Sequence, residues 1–183
     1  KELFTHLLPV KEKVDQWLST KVGTLKEAIA PVGLLERAVN GSKLADFCNL
    51  IQLNETNADI SCTGLSNTVL GLNSTVTMNE LLKAFPFANA TVVLEVNDEI
   101  LKKALERCAS YFDLIHGEIG ISERFTKPKE EHYNYDYYAG VSYKIDLTKP
   151  VGSRVSGIIV NGEPLSNRTY RLAMSNYRAT GTG

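Results

Sequence analysis

The chain has 183 residues, 43% hydrophobic and 22% charged, with 13 glycines and 6 prolines, which describes one ordinary globular domain able to bury a core and excludes a disordered or collagen-like chain. A formal net charge of -1 excludes a surface built to hold a nucleic-acid backbone, so no nucleic-acid polymer is expected as a partner and any nucleic-acid ligand should be small. No apolar run is long enough to cross a bilayer, and residues 1–8 lack the hydrophobic stretch of a signal peptide.

Val10, Val14, Trp17 and Leu18 follow helical spacing after Pro9, which predicts an amphipathic helix of about three turns that stops at Gly23. Residues 24–33, with Pro31, read as extended or turning chain, so residues 1–22 are expected to be a linker element from a preceding domain. Leu44, Phe47, Cys48, Leu50 and Ile51 predict a helix over 42–53 that Ser42 caps. Ile60, Ser61 and Cys62 read as a short buried strand, and the Asn, Ser, Thr and Gly-rich stretch 64–75 as loop. Thr77 and Glu80 carry the spacing of a capping box opening a short helix through Ala84.

A strand over 91–96 then leads into a helix over 98–112, with Asn97 as its cap and Leu101, Ala104, Leu105, Cys108 and Phe112 as its buried stripe. Beyond a polar loop containing Pro128, Val141, Tyr143, Ile145 and Leu147 alternate with polar residues, as in a half-buried strand. A second strand over 155–160 runs into the turn-forming Asn161-Gly162. A third, over 170–175, delivers Asn176-Tyr177-Arg178 to its far end. Helices in the first half and strands in the second predict an α+β or layered domain and not a regular parallel wound sheet.

Three cysteines, Cys48, Cys62 and Cys108, are odd in number and lack CxxC spacing, so they read as small buried hydrophobes rather than a disulfide framework or zinc site. His6, His116 and His132 stand in no Asp-x-His, His-x-His or Asn-His-Glu spacing, so no metal ligand is expected among them. No Gly-x-Ser-x-Gly elbow or Gly-x-x-x-x-Gly-Lys phosphate loop is present, and no catalytic residue is expected. Aromatic residues carry more. Phe85-Pro86-Phe87 lies between a helix and a strand, where Pro86 stiffens the backbone presenting Phe87, although both rings also fit a core. Tyr177 ends a strand and precedes a glycine-containing loop, and the Tyr133, Tyr135, Tyr137 and Tyr138 cluster fits either a half-buried strand or a pocket lining that stacks on sugars.

At these residues the chain resembles the C-terminal domain of 5'-nucleotidases, closest to the branch of 2',3'-cyclic-nucleotide 2'-phosphodiesterase/3'-nucleotidases. The phrases that carry the resemblance are Ala58-Asp59-Ile60-Ser61, Ala84-Phe85-Pro86-Phe87-Ala88-Asn89, Asn134-Tyr135-Asp136 leading to Gly140-Val141-Ser142-Tyr143, and 146–150, 162–165 and 169–181. It covers roughly residues 24–183 and implies a layered α/β/β/α fold. It further implies a division of labour: an N-terminal metallophosphoesterase domain holds two divalent metal ions, while this domain binds the nucleoside. The base would lie between two rings, which fall on Phe87 and Tyr177. Asn89 and Arg178 beside those rings, and Asn67 in the 63–67 stretch, complete the candidate substrate-binding set. That stretch stands where the 5'-nucleotidase branch has an Asn-Gly-Gly-x-Ile-Arg phrase, and it lacks the arginine. The family's closing Gly-Gly-Asp/Asn region is cut short at Gly183, so residues 23–183 are expected to be a substrate-binding domain truncated at its end.

The implied function is nucleoside binding for a bifunctional cyclic-nucleotide phosphodiesterase and 3'- or 5'-nucleotidase that scavenges nucleotides, the chain alone being inactive. A stand-alone nucleoside or carbohydrate binding module is the alternative. The family resemblance implies a secreted, cell-surface or periplasmic location, whereas three unpaired cysteines sit more comfortably in the cytoplasm.

Overall fold

The computed structural model describes residues 2–181, with side chains from residue 5 onward; the glycine-rich end at Thr182 and Gly183 lies outside the described residues. Along the chain run α1 (Glu2–Leu18), β1 (Lys21–Thr24), α2 (Leu34–Asn40), α3 (Lys43–Thr56), β2 (Ile60–Gly64), β3 (Thr75–Thr77), α4 (Met78–Ala84), β4 (Thr91–Val96) and α5 (Asp98–Ala109). There follow β5 (Phe112–Ile115), β6 (Glu118–Ile121), two 3-10 turns at Glu123–Phe125 and His132–Asn134, β7 (Asp136–Ala139), β8 (Val141–Ile145), β9 (Val155–Val160), β10 (Glu163–Pro164), β11 (Tyr170–Ser175) and α6 (Asn176–Ala179). The chain divides into two compact units, residues up to 32 with 68–88, and residues 33–67 with those from 89 onward.

In the first unit, α1 begins at Glu2 and not after Pro9, which lies inside it. A proline there forfeits one main-chain bond to the preceding turn, and this 17-residue helix tolerates the gap. Val10, Val14 and Trp17 are exposed on its surface. β1 pairs antiparallel with β3, Thr24 opposite Thr75, and an isolated bridge joins Ile29 to Leu72. Leu72, Val76 and Ala84 are buried in this unit. The capping box opening α4 is present: Thr77 Oγ1 accepts from the Glu80 N–H, and Glu80 Oε2 accepts from the Thr77 N–H at 2.8 Å.

The second unit is built on a four-stranded sheet ordered β4-β11-β2-β7, in which β11 lies antiparallel to β4 and parallel to β2. Alternation sorts its two faces. Ile60 and Cys62 on β2, and Tyr170, Leu172 and Met174 on β11, enter a core shared with Leu101, Leu105 and Ala109 of α5 and Val155, Ile158 and Val160 of β9. On the opposite face Ser61 donates to Asn49 Oδ1 of α3 at 2.8 Å, and Asn49 Nδ2 donates to the Tyr137 carbonyl at 2.9 Å. A second sheet, β10-β9-β8, supplies the next layer, so α3, two sheets and α5 realise the layered α+β arrangement. Ser42 caps α3 and Asn97 caps α5 through their side-chain oxygens, as the sequence requires.

One expectation is corrected here. The helix α5 ends at Ala109, not Phe112, because Tyr111 and Phe112 leave it to pack edge-on with Phe125 and Tyr135. Phe112 instead opens a hairpin, β5 with β6, whose two-residue turn places His116 at φ 54 and Gly117 at φ 85. Of the tyrosine cluster, Tyr135 and Tyr137 are buried with their rings 4.9 Å apart edge-on, the Tyr135 hydroxyl donating to the Ala38 carbonyl, whereas Tyr133 and Tyr138 are half-buried.

At the end of α5, Glu106 is buried and its carboxylate accepts from the N–H groups of Arg154 at 3.0 Å and Val155 at 2.8 Å, joining the helix to β9. The buried Arg154 guanidinium donates to the carbonyls of Ala109, Phe112 and Lys149 and pairs with Asp113 at 3.2 Å.

Candidate functional site

β11 is central in its sheet, with neighbours on both sides, so its end is one of the more rigid positions the second unit offers. Ser175 closes the strand and caps α6, its Oγ accepting from the Arg178 N–H at 3.3 Å. A helix of four residues cannot hold itself together, and side-chain clamps do so here. Asn176 is tied twice to Ala90: its N–H donates to the Ala90 carbonyl at 2.8 Å, and its Oδ1 accepts from the Ala90 N–H at 3.0 Å.

Arg178 is held on the other side. Its Nε donates to Asp136 Oδ1 at 3.0 Å, Nη1 to Asn134 Oδ1 at 3.1 Å and Nη2 to the Tyr133 carbonyl at 2.8 Å. Gly64 lets this happen: a Cβ there would lie 2.6 Å from the Tyr133 carbonyl oxygen and 3.1 Å from Arg178 Nη2. Asp136 is buried, which pushes its carboxyl pKa up, and the Arg178 guanidinium works against that rise.

Between these two clamps stands Tyr177, 40% exposed. Asn89 is exposed one residue before the clamped Ala90. Asn67 donates to the Glu130 carbonyl at 2.9 Å and accepts from the Tyr133 N–H at 3.1 Å, so it grips the same Tyr133 peptide region that Arg178 holds. Of the five candidate residues, Asn67 and Arg178 therefore meet at the Tyr133 peptide, while Asn89 and Tyr177 are chain neighbours of the clamped Ala90, Asn176 and Arg178 in the same unit. Phe87 belongs to the first unit, just beyond α4, where the Phe85 N–H donates to the Leu81 carbonyl at 2.8 Å. Its ring is 73% exposed, far more than a phenylalanine placed for packing.

Sequence reasoning passed over Gly64, Ser175 and Asn176 and gave Asp136 no partner. A carboxylate in a strand of tyrosines is the available signal, since a buried acid demands a cation, but nothing local points to an arginine 42 residues away.

Elsewhere the titratable groups are structural. Burial pushes the thiols of Cys48 and Cys108 up to about 12, and that of Cys62 well above its ordinary value, so none is poised as a nucleophile. His132 is buried with Nδ1 2.9 Å from the Tyr111 hydroxyl, His116 forms the hairpin turn and His6 is exposed. Among the described residues no three His, Cys, Asp or Glu side chains converge to hold a metal ion. No helix among them is long and apolar enough to cross a membrane.

The chain belongs to the family of the 5'-nucleotidase C-terminal domain, whose model matches residues 21–183. It is 35% identical to a Staphylococcus aureus protein described as a 5'-nucleotidase and crystallised with alpha-ketoglutarate, with a TM-score of 0.90 over 95% of this chain and 34% of that one. It is 26% identical over 110 residues to the trifunctional nucleotide phosphoesterase protein YfkN of Bacillus subtilis, covering 53% of this chain and 8% of the relative. It is also 27% identical over 126 residues to the 2',3'-cyclic-nucleotide 2'-phosphodiesterase/3'-nucleotidase of Salmonella typhimurium, covering 58% of this chain and 18% of that protein. The chain thus spans less than a fifth of either curated relative.

Proposed function

We propose that this domain binds the nucleoside part of a nucleotide for a metal-dependent phosphoesterase, a 2',3'-cyclic-nucleotide 2'-phosphodiesterase with 3'- or 5'-nucleotidase activity, exported from the cell to scavenge nucleotides. The observation that carries the reading is Tyr177: a half-exposed ring on a turn clamped at both neighbours is preorganised to stack on a flat ligand. Asn89 and Asn67, in the same unit as Tyr177, provide polar contacts at the edge of the ligand. Stacking suits a scavenging enzyme because every base presents a π face. The two metal ions and the chemistry at phosphorus belong to a metallophosphoesterase domain to which residues 1–22 connect, and residues 23–183 select and hold the nucleoside.

The test is titration of the chain with adenosine, followed by chemical shift. Stacking at about 1 to 3 kcal/mol per face makes this binding weak, with a Kd on the order of millimolar or above. Replacing Tyr177 by alanine weakens binding by about tenfold, and Tyr177→Phe retains most of it. The chain alone releases no phosphate from nucleotides above a buffer blank. A titration indifferent to Tyr177→Ala, or phosphate release that a chelator abolishes, overturns the reading.

A further inference from the structure

We propose that Arg178 is a positioning residue, whose task is to fix the Tyr177 ring and not to touch the ligand; this rests on the reading of Tyr177 as a base-stacking residue. The sequence placed Arg178 among the substrate contacts, and a cation beside a stacking tyrosine suggests a phosphate ligand. The geometry points elsewhere. Three of the five N–H groups of a guanidinium are committed to Asp136, Asn134 and Tyr133, at 2.8 to 3.1 Å. The Arg178 side chain is only 16% exposed, and its charge is met by a carboxylate 11% exposed. An arginine so spent offers a ligand phosphate little.

What the same bonds accomplish is mechanical. α6 is a single turn, closed by the Thr180 N–H donating to the Asn176 carbonyl at 3.1 Å, and its two outer anchors lie on different segments. Asn176 is fixed to Ala90 at the start of β4, and Arg178 to residues 133–136 at the start of β7. Tyr177 is the residue between them, so its Cα is set from both sides while its ring stays outside. Gly64 leaves room for the fork, and Asn67 steadies the Tyr133 peptide that receives it. Every contact of Arg178 is thus with a group that is itself held. Loss of the fork releases one side of the turn, and the ring then spends only part of its time in the stacking orientation, which lowers affinity in proportion.

A double-substitution cycle on the full 183-residue chain tests this, with adenosine as the probe. Arg178→Met is expected to weaken adenosine binding about fivefold on its own and to cause no further loss in a Tyr177→Ala background, since the tyrosine is the only route of its effect. Arg178→Lys, which lacks the planar fork, behaves like Arg178→Met. Losses that add in the double variant mean that Arg178 contacts the ligand itself and overturn the proposal, as does an Arg178→Met chain that binds normally while Tyr177→Ala does not. If Arg178→Met fails to fold, Asp136→Asn takes its place in the cycle, removing the charge while leaving an oxygen for Nε. A second readout separates this proposal from the function on which it rests. With 3-fluorotyrosine incorporated, the resonance lost in Tyr177→Phe identifies residue 177, and in the ligand-free chain it moves and broadens on Arg178→Met. An adenosine affinity indifferent to Tyr177→Ala defeats the base-stacking function alone, and an unmoved fluorine resonance then defeats the positioning role separately.

Discussion

Glu106 offers the most direct test of how the second unit is held together. Its two carboxylate oxygens each satisfy one buried main-chain N–H, of Arg154 and of Val155, at the point where β9 enters the sheet. Glu106→Ala deprives both donors of their acceptor in a site only 7% exposed. At about 1 to 3 kcal/mol for each abandoned donor, the loss is about 2 to 6 kcal/mol, a large part of the roughly 5 to 15 kcal/mol that stabilises a typical domain. Glu106→Gln keeps the shape but offers one oxygen, leaving the other donor facing an amide, and costs about 1 to 3 kcal/mol. Urea unfolding followed by far-ultraviolet circular dichroism measures both, which is preferable to tryptophan fluorescence because the one tryptophan, Trp17, lies exposed in the other unit. Glu99→Gln, on the exposed side of the same helix, is the control and stays within about 0.5 kcal/mol of the parent. A Glu106→Ala loss under about 1 kcal/mol, or equal losses for Gln and Ala, refutes the reasoning.

Three further outcomes are expected. Gly140 has φ 80 and an added Cβ would lie 2.2 Å from the Asp59 carbonyl oxygen, whereas Gly152 has φ 91 and open space; Gly140→Ala therefore costs clearly more than the roughly 1 to 2 kcal/mol of left-handed strain alone that Gly152→Ala incurs, and equal melting temperatures contradict this. Thiol reagents at pH 8 label Cys62 and Cys108 only as fast as the protein unfolds, and all three cysteines at once in denaturant; burst labelling of the native chain beyond Cys48 refutes the burial argument. Because burial holds the Asp136 pKa above its unfolded value, its favourable contribution is complete at low pH and is lost as pH rises through the folded value. Arg178→Met lifts that folded value further, so the variant's stability deficit is larger at pH 7 than near pH 4, and a deficit flat with pH shows that Asp136 carries no charge in the native chain.

What could be read from sequence follows the range of the interaction. The caps at Ser42, Thr77 and Asn97 each act over three residues, and each is where its pattern put it. The strand ending at Ser175 was legible from its alternation, and with it the exposed position of Tyr177. Where local pattern misled, a distant partner had decided the matter. The apolar spacing that continues to Phe112 suits a helix, yet the aromatic cluster with Phe125 and Tyr135 claims that residue for a strand. Pro9 looked like a first helical residue only because the turn before it carries no cap in its sequence. Likewise β1 and β3 are too short to show a period, and their pairing joins residues more than fifty apart. The fork from Arg178 to Asp136 has no local signature, so the sequence disclosed the presented ring but not what presents it.

The place of β11 has a consequence for biosynthesis. It occupies an inner position of its sheet, between β4 and β2, yet it follows them by far in the chain; Arg171 closes onto Asp59 across 112 residues. As the polypeptide leaves the ribosome, β2 and β4 emerge with a gap between them that nothing earlier fills. The core of the second unit is completed only when residues 170–175 arrive, and the same arrival installs the turn that carries Tyr177. A nascent chain halted short of that strand has two unsatisfied strand edges and lacks the turn that carries Tyr177, so that turn and the folded state are acquired in a single late event.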